Sequence, residues 1–258
     1  MDFFVNNFQI FLLIFVRMVG VFVVAPFFSS GAVPLRIRMV LAVYITACIF
    51  PVVAASFDPL PENMFEYAFL IGSEAVIGIL IGFLLSIIFA AFQLAARFFS
   101  FQMALGIAEV IDPLSEVGIT LVGQLWTLMG IMIFIAINGP HMLVMATYDS
   151  YQTIKVLSIA AHGEAVMKAV IDAFSAMFLI ALKLSFPILI TLFLLAIVLG
   201  LLAKAAPQMN IFMVGFPIQI GVGLLVMVAV LGAIAFGMSS ALNRAFENLV
   251  TFISAFGG

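Results

Sequence analysis

Apolar runs of about twenty residues or more follow one another along almost the whole chain, and no other feature restricts its folding as strongly. A run of that length crosses a bilayer as a helix, because a helix satisfies its backbone polar groups within its own segment. Six such runs stand out: about Phe8 to Pro26, Arg38 to Phe57, Phe65 to Met103, Thr120 to Asn138, Ile171 to Leu202 and Ile211 to Met238. Charge is too scarce for a water-facing surface. Of 258 residues 8% are charged and 66% are hydrophobic, whereas a soluble domain carries about 25% charged residues. The fold class read from this pattern is an all-α integral membrane protein with about six long, proline-kinked apolar helices. The opening Met1-Asp2-Phe3-Phe4 lacks a basic stretch followed by a small-residue cleavage site, so it reads as the start of an uncleaved first span.

The breaks between runs have chemical causes. Pro26 and Pro34 flank Ser29-Ser30-Gly31, a turn cluster that ends the first helix. Pro51 removes a backbone donor late in the second run, and Pro59 and Pro61 lie in an acidic connection with Asp58, Glu62 and Glu66. Asn138-Gly139-Pro140 closes the fourth run, after which Gly139 to about Val170 reads as a long loop. Pro187 and Pro217 lie inside the fifth and sixth runs and are expected to bend them. Near the end, Leu242, Phe246, Leu249, Val250 and Ile253 form one apolar face opposite Asn243, Arg244, Glu247 and Asn248. That is the pattern of a seventh, amphipathic helix, lying on a membrane surface or against a partner. If all six runs cross, Arg36, Arg38, Arg97 and Lys204 fall on one side, which the positive-inside tendency makes cytoplasmic, with Lys155 and Lys168 opposite.

Few residues are suited to chemistry. His141 and His162 are the only histidines, and no His-Glu-x-x-His pair, clustered ligand set, Gly-x-Ser-x-Gly elbow or phosphate-cradling glycine loop occurs. No metal or cofactor is expected, and the chain does not read as an enzyme. Asp149, with Tyr148, Ser150 and Tyr151, reads as part of a polar loop. Cys48 is the single cysteine, which excludes an internal disulfide and suits a small packing residue. A net charge of −3 gives no nucleic-acid footprint. The fifteen methionines suit packing, and an adaptable seal around a moving polypeptide.

Two charges stand at unfavourable places. Arg17 lies mid-way through the first run and Glu74 within the third. A charge at the centre of a membrane helix costs about 2.5–3.5 kcal/mol on insertion scales. Two arrangements remain open: the pair meets inside the fold or at a subunit contact, or each snorkels or faces a water-filled space. Lys183 in the fifth run raises the same question. Gly78 and Gly82 have the small-xxx-small spacing that lets helix backbones approach, and Gly221 and Gly223 form a smooth patch in the sixth run. The stretch Gln102 to Pro113 breaks a helix in mid-sequence with Gly106, Pro113, two acids and bulky aliphatics. Irregular backbone at membrane depth is tolerated where protein buries it or a cavity wets it. A pore-lining or pore-closing loop fits this stretch, and so does an ordinary interhelical loop. Finally, Pro207-Gln208-Met209-Asn210, preceded by Lys204, is a short polar knot between two long oily helices.

Several of these stretches together resemble one family, the FliR proteins of flagellar export and their counterparts in virulence type III secretion. Arg17 through Pro26 and Pro34-Leu35-Arg36-Ile37-Arg38 resemble its opening, Glu74 through Gly82 its glycine-rich third segment, and Phe101-Gln102-Met103 to Asp112-Pro113 its central loop. Phe134 through Pro140 resembles its Phe-x-x-x-Asn-Gly stop, and Lys204 to Ile220 its most diagnostic stretch. The chain departs from the family at Pro140, where histidine is common, at Lys204, where arginine is usual, and at Ala104, where a glycine usually follows Gln-Met.

The resemblance implies a FliP-like part, 1–173, with a central pore loop at about 101–119, and a FliQ-like helical hairpin, 174–258, turning at Pro207 to Asn210. It implies assembly with FliP and FliQ into a ring around a protein-conducting pore in the bacterial inner membrane, at the flagellar basal body, with FlhB near the cytoplasmic entrance and unfolded flagellar export substrates passing through. Gly106 would be a hinge and Ile107, Ala108, Val110 and Ile111 plug residues. Lys204, Pro207, Gln208 and Asn210 would form the cytoplasmic bend, and Arg17 and Glu74 buried charges or subunit contacts. The alternatives are an injectisome export-gate homologue and, from a different class, a multi-pass secondary transporter with its site at broken helices.

Overall fold

The computed structural model describes residues 2–29, 33–57, 60–61, 63–103, 105, 121–154, 163–208 and 210–256. Among these the secondary structure is helical: α1 (Asp2–Val24), α2 (Pro26–Ser29), α3 (Leu35–Val53) with a 3₁₀ turn (Ala54–Ser56), α4 (Met64–Gln102), α5 (Leu121–Ala136), α6 (Gly139–Thr153), α7 (Gly163–Ala205), α8 (Ile211–Ala229) and α9 (Leu231–Ser254). Four helices, α1, α3, α4 and α7, are long and apolar enough to cross a membrane on their own. Two bent pairs, α5 with α6 at 67° and α8 with α9 at 63°, bring the number to six if each pair is one span. The protein is thus an all-α integral membrane protein.

Three expectations are corrected. The stretch after Asn138-Gly139-Pro140 begins a helix rather than a long loop. Asn138 adopts a left-handed conformation, φ 59°, which breaks α5, and Pro140 then sits in the first turn of α6, where its missing N–H costs nothing. Tyr148, Asp149, Ser150 and Tyr151 accordingly lie on that helix. Secondly, the sixth apolar run, which carries Pro217 inside α8, is not one helix but divides at Val230. Pro187 likewise lies inside a helix, the 43 residues of α7. Thirdly, the amphipathic stretch is no separate element but the second half of α9. Of its apolar side chains, Leu242, Phe246, Leu249 and Ile253 are buried within the chain, and Val250 is exposed.

The chain forms two compact units whose segments alternate in sequence: 1–88, 138–174 and 243–258 in the first, and 89–137 and 175–242 in the second. In the first, α1 is the central strut. Gly20 lies so close to α4 that a Cβ there would come 2.9 Å from the Ala75 oxygen, and a Cβ on Gly82 would lie 2.9 Å from the Val21 oxygen. The glycine recess of α4 therefore receives α1 of the same chain. Around it Ile10, Ile14, Val53 and Tyr151 form a buried cluster against Ile49, Phe50, Phe57 and Tyr148. Tyr67 Oη closes the opposite end of the α1–α4 pair by donating to the Gln9 carbonyl at 3.0 Å.

The second unit is held by aromatic packing and further glycine recesses. Phe89 meets Phe134 edge-on with centroids 5.8 Å apart, and Phe99 lies 5.1 Å from the Trp126 ring. Gly130 makes room for Phe92, and Gly237 for Leu184. Gly221 and Gly223 do not act as one patch: Gly221 is exposed with open space around it, whereas Gly223 lies under Met103. Much of α7 remains exposed, including Phe186, Phe193, Leu194, Ile197, Leu201 and the charged Lys183.

Candidate functional site

Arg17 and Glu74 meet inside the first unit. Both are buried, at 1% and 0% exposure. Arg17 Nε donates to Glu74 Oε2 at 2.5 Å and Nη2 to Oε1 at 3.0 Å, the two-pronged geometry in which a guanidinium binds a carboxylate best. The remaining nitrogen, Nη1, donates to Ser150 Oγ at 2.9 Å. Ser150 Oγ in turn donates to the Thr147 carbonyl at 2.6 Å. The guanidinium carbon lies 4.1 Å from the centre of the Tyr151 ring, and the Tyr151 hydroxyl donates to the Ile14 carbonyl at 2.8 Å. Three helices, α1, α4 and α6, are thus tied at one point. Neither charge snorkels.

The sequence singled out Arg17 and Glu74 but missed Ser150 and Tyr151. A signal was present: Leu143, Ala146, Thr147, Ser150 and Tyr151 are buried on α6 at the 3, 1, 3 and 1 steps of one helix face. Every polar atom of the charged pair is occupied, so the cluster offers no open position for a substrate. Among the described residues no group of three His, Cys, Asp or Glu could hold a metal. The cluster holds helices together. Removing one partner of a buried pair costs about 3–5 kcal/mol, because the other charge is left unpaired.

The hairpin bend is ordered by its asparagine. Lys204 occupies the last turn of α7 and is exposed, favourably placed at the negative end of the helix dipole. Pro207 and Gln208 form the turn and are exposed. Asn210 caps α8: its Oδ1 accepts from the Met213 N–H at 3.4 Å, and its backbone carbonyl accepts from the same group at 3.0 Å. Gly106, Ile107, Ala108, Val110 and Ile111 lie outside the described residues. The described chain approaches them at Met103, which continues α4 by one hydrogen bond to the Phe99 carbonyl at 2.9 Å.

Long apolar helices broken at two bends, a buried charge staple and an exposed polar hairpin turn define the class, a multi-pass helical membrane protein. Within that class the chain belongs to the bacterial export proteins, family 1, which it matches over residues 8–245. The flagellar biosynthetic protein FliR of Bacillus subtilis (strain 168) is 30% identical over 255 residues, covering 98% of both chains. Its namesake in Escherichia coli (strain K12) is 30% identical over 238 residues, covering 92% of this chain and 90% of the relative. That of Aquifex aeolicus (strain VF5) is 26% identical over 246 residues, covering 95% of this chain and 94% of the relative.

Proposed function

We propose that this chain is a non-catalytic subunit of the flagellar export gate. With FliP and FliQ it would form the protein-conducting channel of the bacterial inner membrane, at the flagellar basal body, through which unfolded flagellar proteins pass. FlhB would lie near the cytoplasmic entrance. The observation that carries this reading is similarity, over almost the entire length of both chains, to a relative named for flagellar biosynthesis.

Physical features support it. The charged Lys183 and the row Phe186, Phe193, Leu194 and Ile197 are exposed on one helix. A lysine on a helix of that kind is accommodated by protein neighbours or a wet cavity more readily than by lipid. In this reading unlike subunits cover much of that apolar surface. The FliP-like part would be 1–173 and the FliQ-like hairpin 174–258, turning on the cytoplasmic side at Lys204, Pro207, Gln208 and Asn210. The segment at about 101–119 would supply part of the pore plug, with Gly106 as hinge and Ile107, Ala108, Val110 and Ile111 as an aliphatic stopper that excludes hydrated ions at rest. Arg17 and Glu74 would keep the first unit in the form its neighbours meet.

Affinity purification in mild detergent tests the assembly. The chain should emerge with two other small hydrophobic proteins in a defined ratio. Recovery as a stable monomer or homo-oligomer with transport activity of its own would reject the reading in favour of a secondary transporter.

A further inference from the structure

We propose that Gly223 is a positioning residue: its missing side chain forms the seat in which Met103 lies, and through Met103 helix α8 fixes where the chain leaves α4. Three atoms carry the argument. A Cβ on Gly223 would fall 2.7, 2.7 and 2.8 Å from Met103 Cγ, Sδ and Cε. The thioether therefore lies flat along the α8 backbone, instead of touching it with its tip. A methyl group at 223 could not be avoided by turning the terminal Sδ–Cε bond, since Cγ is already in contact. Nor has Met103 a way out, because it is 0% exposed. The neighbouring Gly221 has open space around it, so the seat is a property of one position and not of a glycine-rich helix.

Packing also holds the same helix end. One turn earlier, buried Phe99 packs against Trp126 of α5, the rings tilted by 52°. Between these two anchors, Ser100 Oγ and Gln102 Oε1 are buried and find no hydrogen-bond partner among the described residues. Serines elsewhere on the long helices do bond back to the preceding turn, as Ser73, Ser86 and Ser185 do at 2.8, 2.7 and 2.8 Å. Buried polar groups without partners oppose folding. The end of α4 thus packs on Trp126 through Phe99 and on Gly223 through Met103. A single methyl group at 223 should displace it without dismantling the helices.

This inference rests on reading 101–119 as the pore segment, and the test separates the two. Resting ion conductance would be measured in planar bilayers for the chain assembled with its co-purifying partners. The variants are Gly223→Ala, Gly221→Ala, Met103→Ala and the triple Ile107→Gly, Val110→Gly, Ile111→Gly. Conductance should rise several-fold in Gly223→Ala and Met103→Ala, with unchanged subunit ratio, and stay at the wild-type level in Gly221→Ala. If the triple variant leaks while Gly223→Ala stays tight, the positioning role is wrong and the pore reading stands. If the triple variant also stays tight, the pore reading fails and this inference with it. Should Gly223→Ala not assemble, Met103→Ala decides, and a tight Met103→Ala complex would overturn the proposal.

Discussion

The backbone carbonyl of Arg17 rests against the α carbon of Gly78, one helical turn from the carboxylate that the same arginine grips through its side chain. A Cβ on Gly78 would overlap that oxygen outright. Arg17 thus touches α4 twice, by main chain at Gly78 and by side chain at Glu74. The close approach brings the charges into register, and the charges hold the approach.

Gly78→Ala should therefore act on the ion pair as well as on packing. Inserting a methyl group into a tight interior costs about 1–3 kcal/mol, and here the obstacle is backbone, which cannot rotate away. The midpoint of thermal unfolding in detergent should fall clearly. Gly72→Ala, on the same helix with open space around it, should leave the midpoint unchanged or raise it slightly through helix propensity. Equal midpoints for the two variants would contradict the interlock.

Breaking the ion pair from one side should be worse than removing it. Glu74→Gln leaves a buried guanidinium and should cost about 3–5 kcal/mol, and Arg17→Met the same for a buried carboxylate. The double variant Arg17→Met with Glu74→Leu should recover much of the loss, read as steady-state protein level and unfolding midpoint. Tyr151→Phe should cost about 1 kcal/mol, since it removes one hydrogen bond and keeps the ring over Arg17. Additive losses in the double variant would mean that the two side chains do not interact.

At the hairpin bend, Asn210→Ala removes the cap of α8 and should cost about 1 kcal/mol. Asn210→Asp and Asn210→Ser should retain most of the stability, because either side chain can accept from the Met213 N–H. Faster limited proteolysis between Lys204 and Ile211 in the alanine variant alone is the expected observation. Indistinguishable digestion in all three would show that the cap does not order the turn.

Where the sequence was legible, strong and long apolar patterns made it so. The ends of α3, α4 and α5, and the start of α8, fall within a few residues of the runs that predict them, because a bilayer-length helix of leucine, isoleucine and phenylalanine has no competing structure. Helix α6 was hidden by its composition. Tyr148, Asp149, Ser150, Gln152 and Thr153 read as polar loop, and Asn138-Gly139-Pro140 reads as a stop although it is also a start. The bend at Val230 was hidden because the local sequence carries no proline there. Arg17 and Glu74 were both conspicuous, but their meeting depends on α1 lying in the glycine recess of α4 across a separation of 57 residues, which no local pattern encodes. Ser150 and Tyr151 could be found only once α6 was seen as a helix.

The most direct measurement places a photoreactive amino acid at Val110 and stalls an export substrate in the act of secretion. The account predicts a crosslink between position 110 and the stalled polypeptide, lost when export is not energised, and absent when the probe is moved to the exposed flank of α7 at Leu194. A probe at Val110 that labels only lipid or this chain's own helices, while the stalled substrate crosslinks elsewhere, would contradict the claim that this protein lines a conduit for unfolded chains.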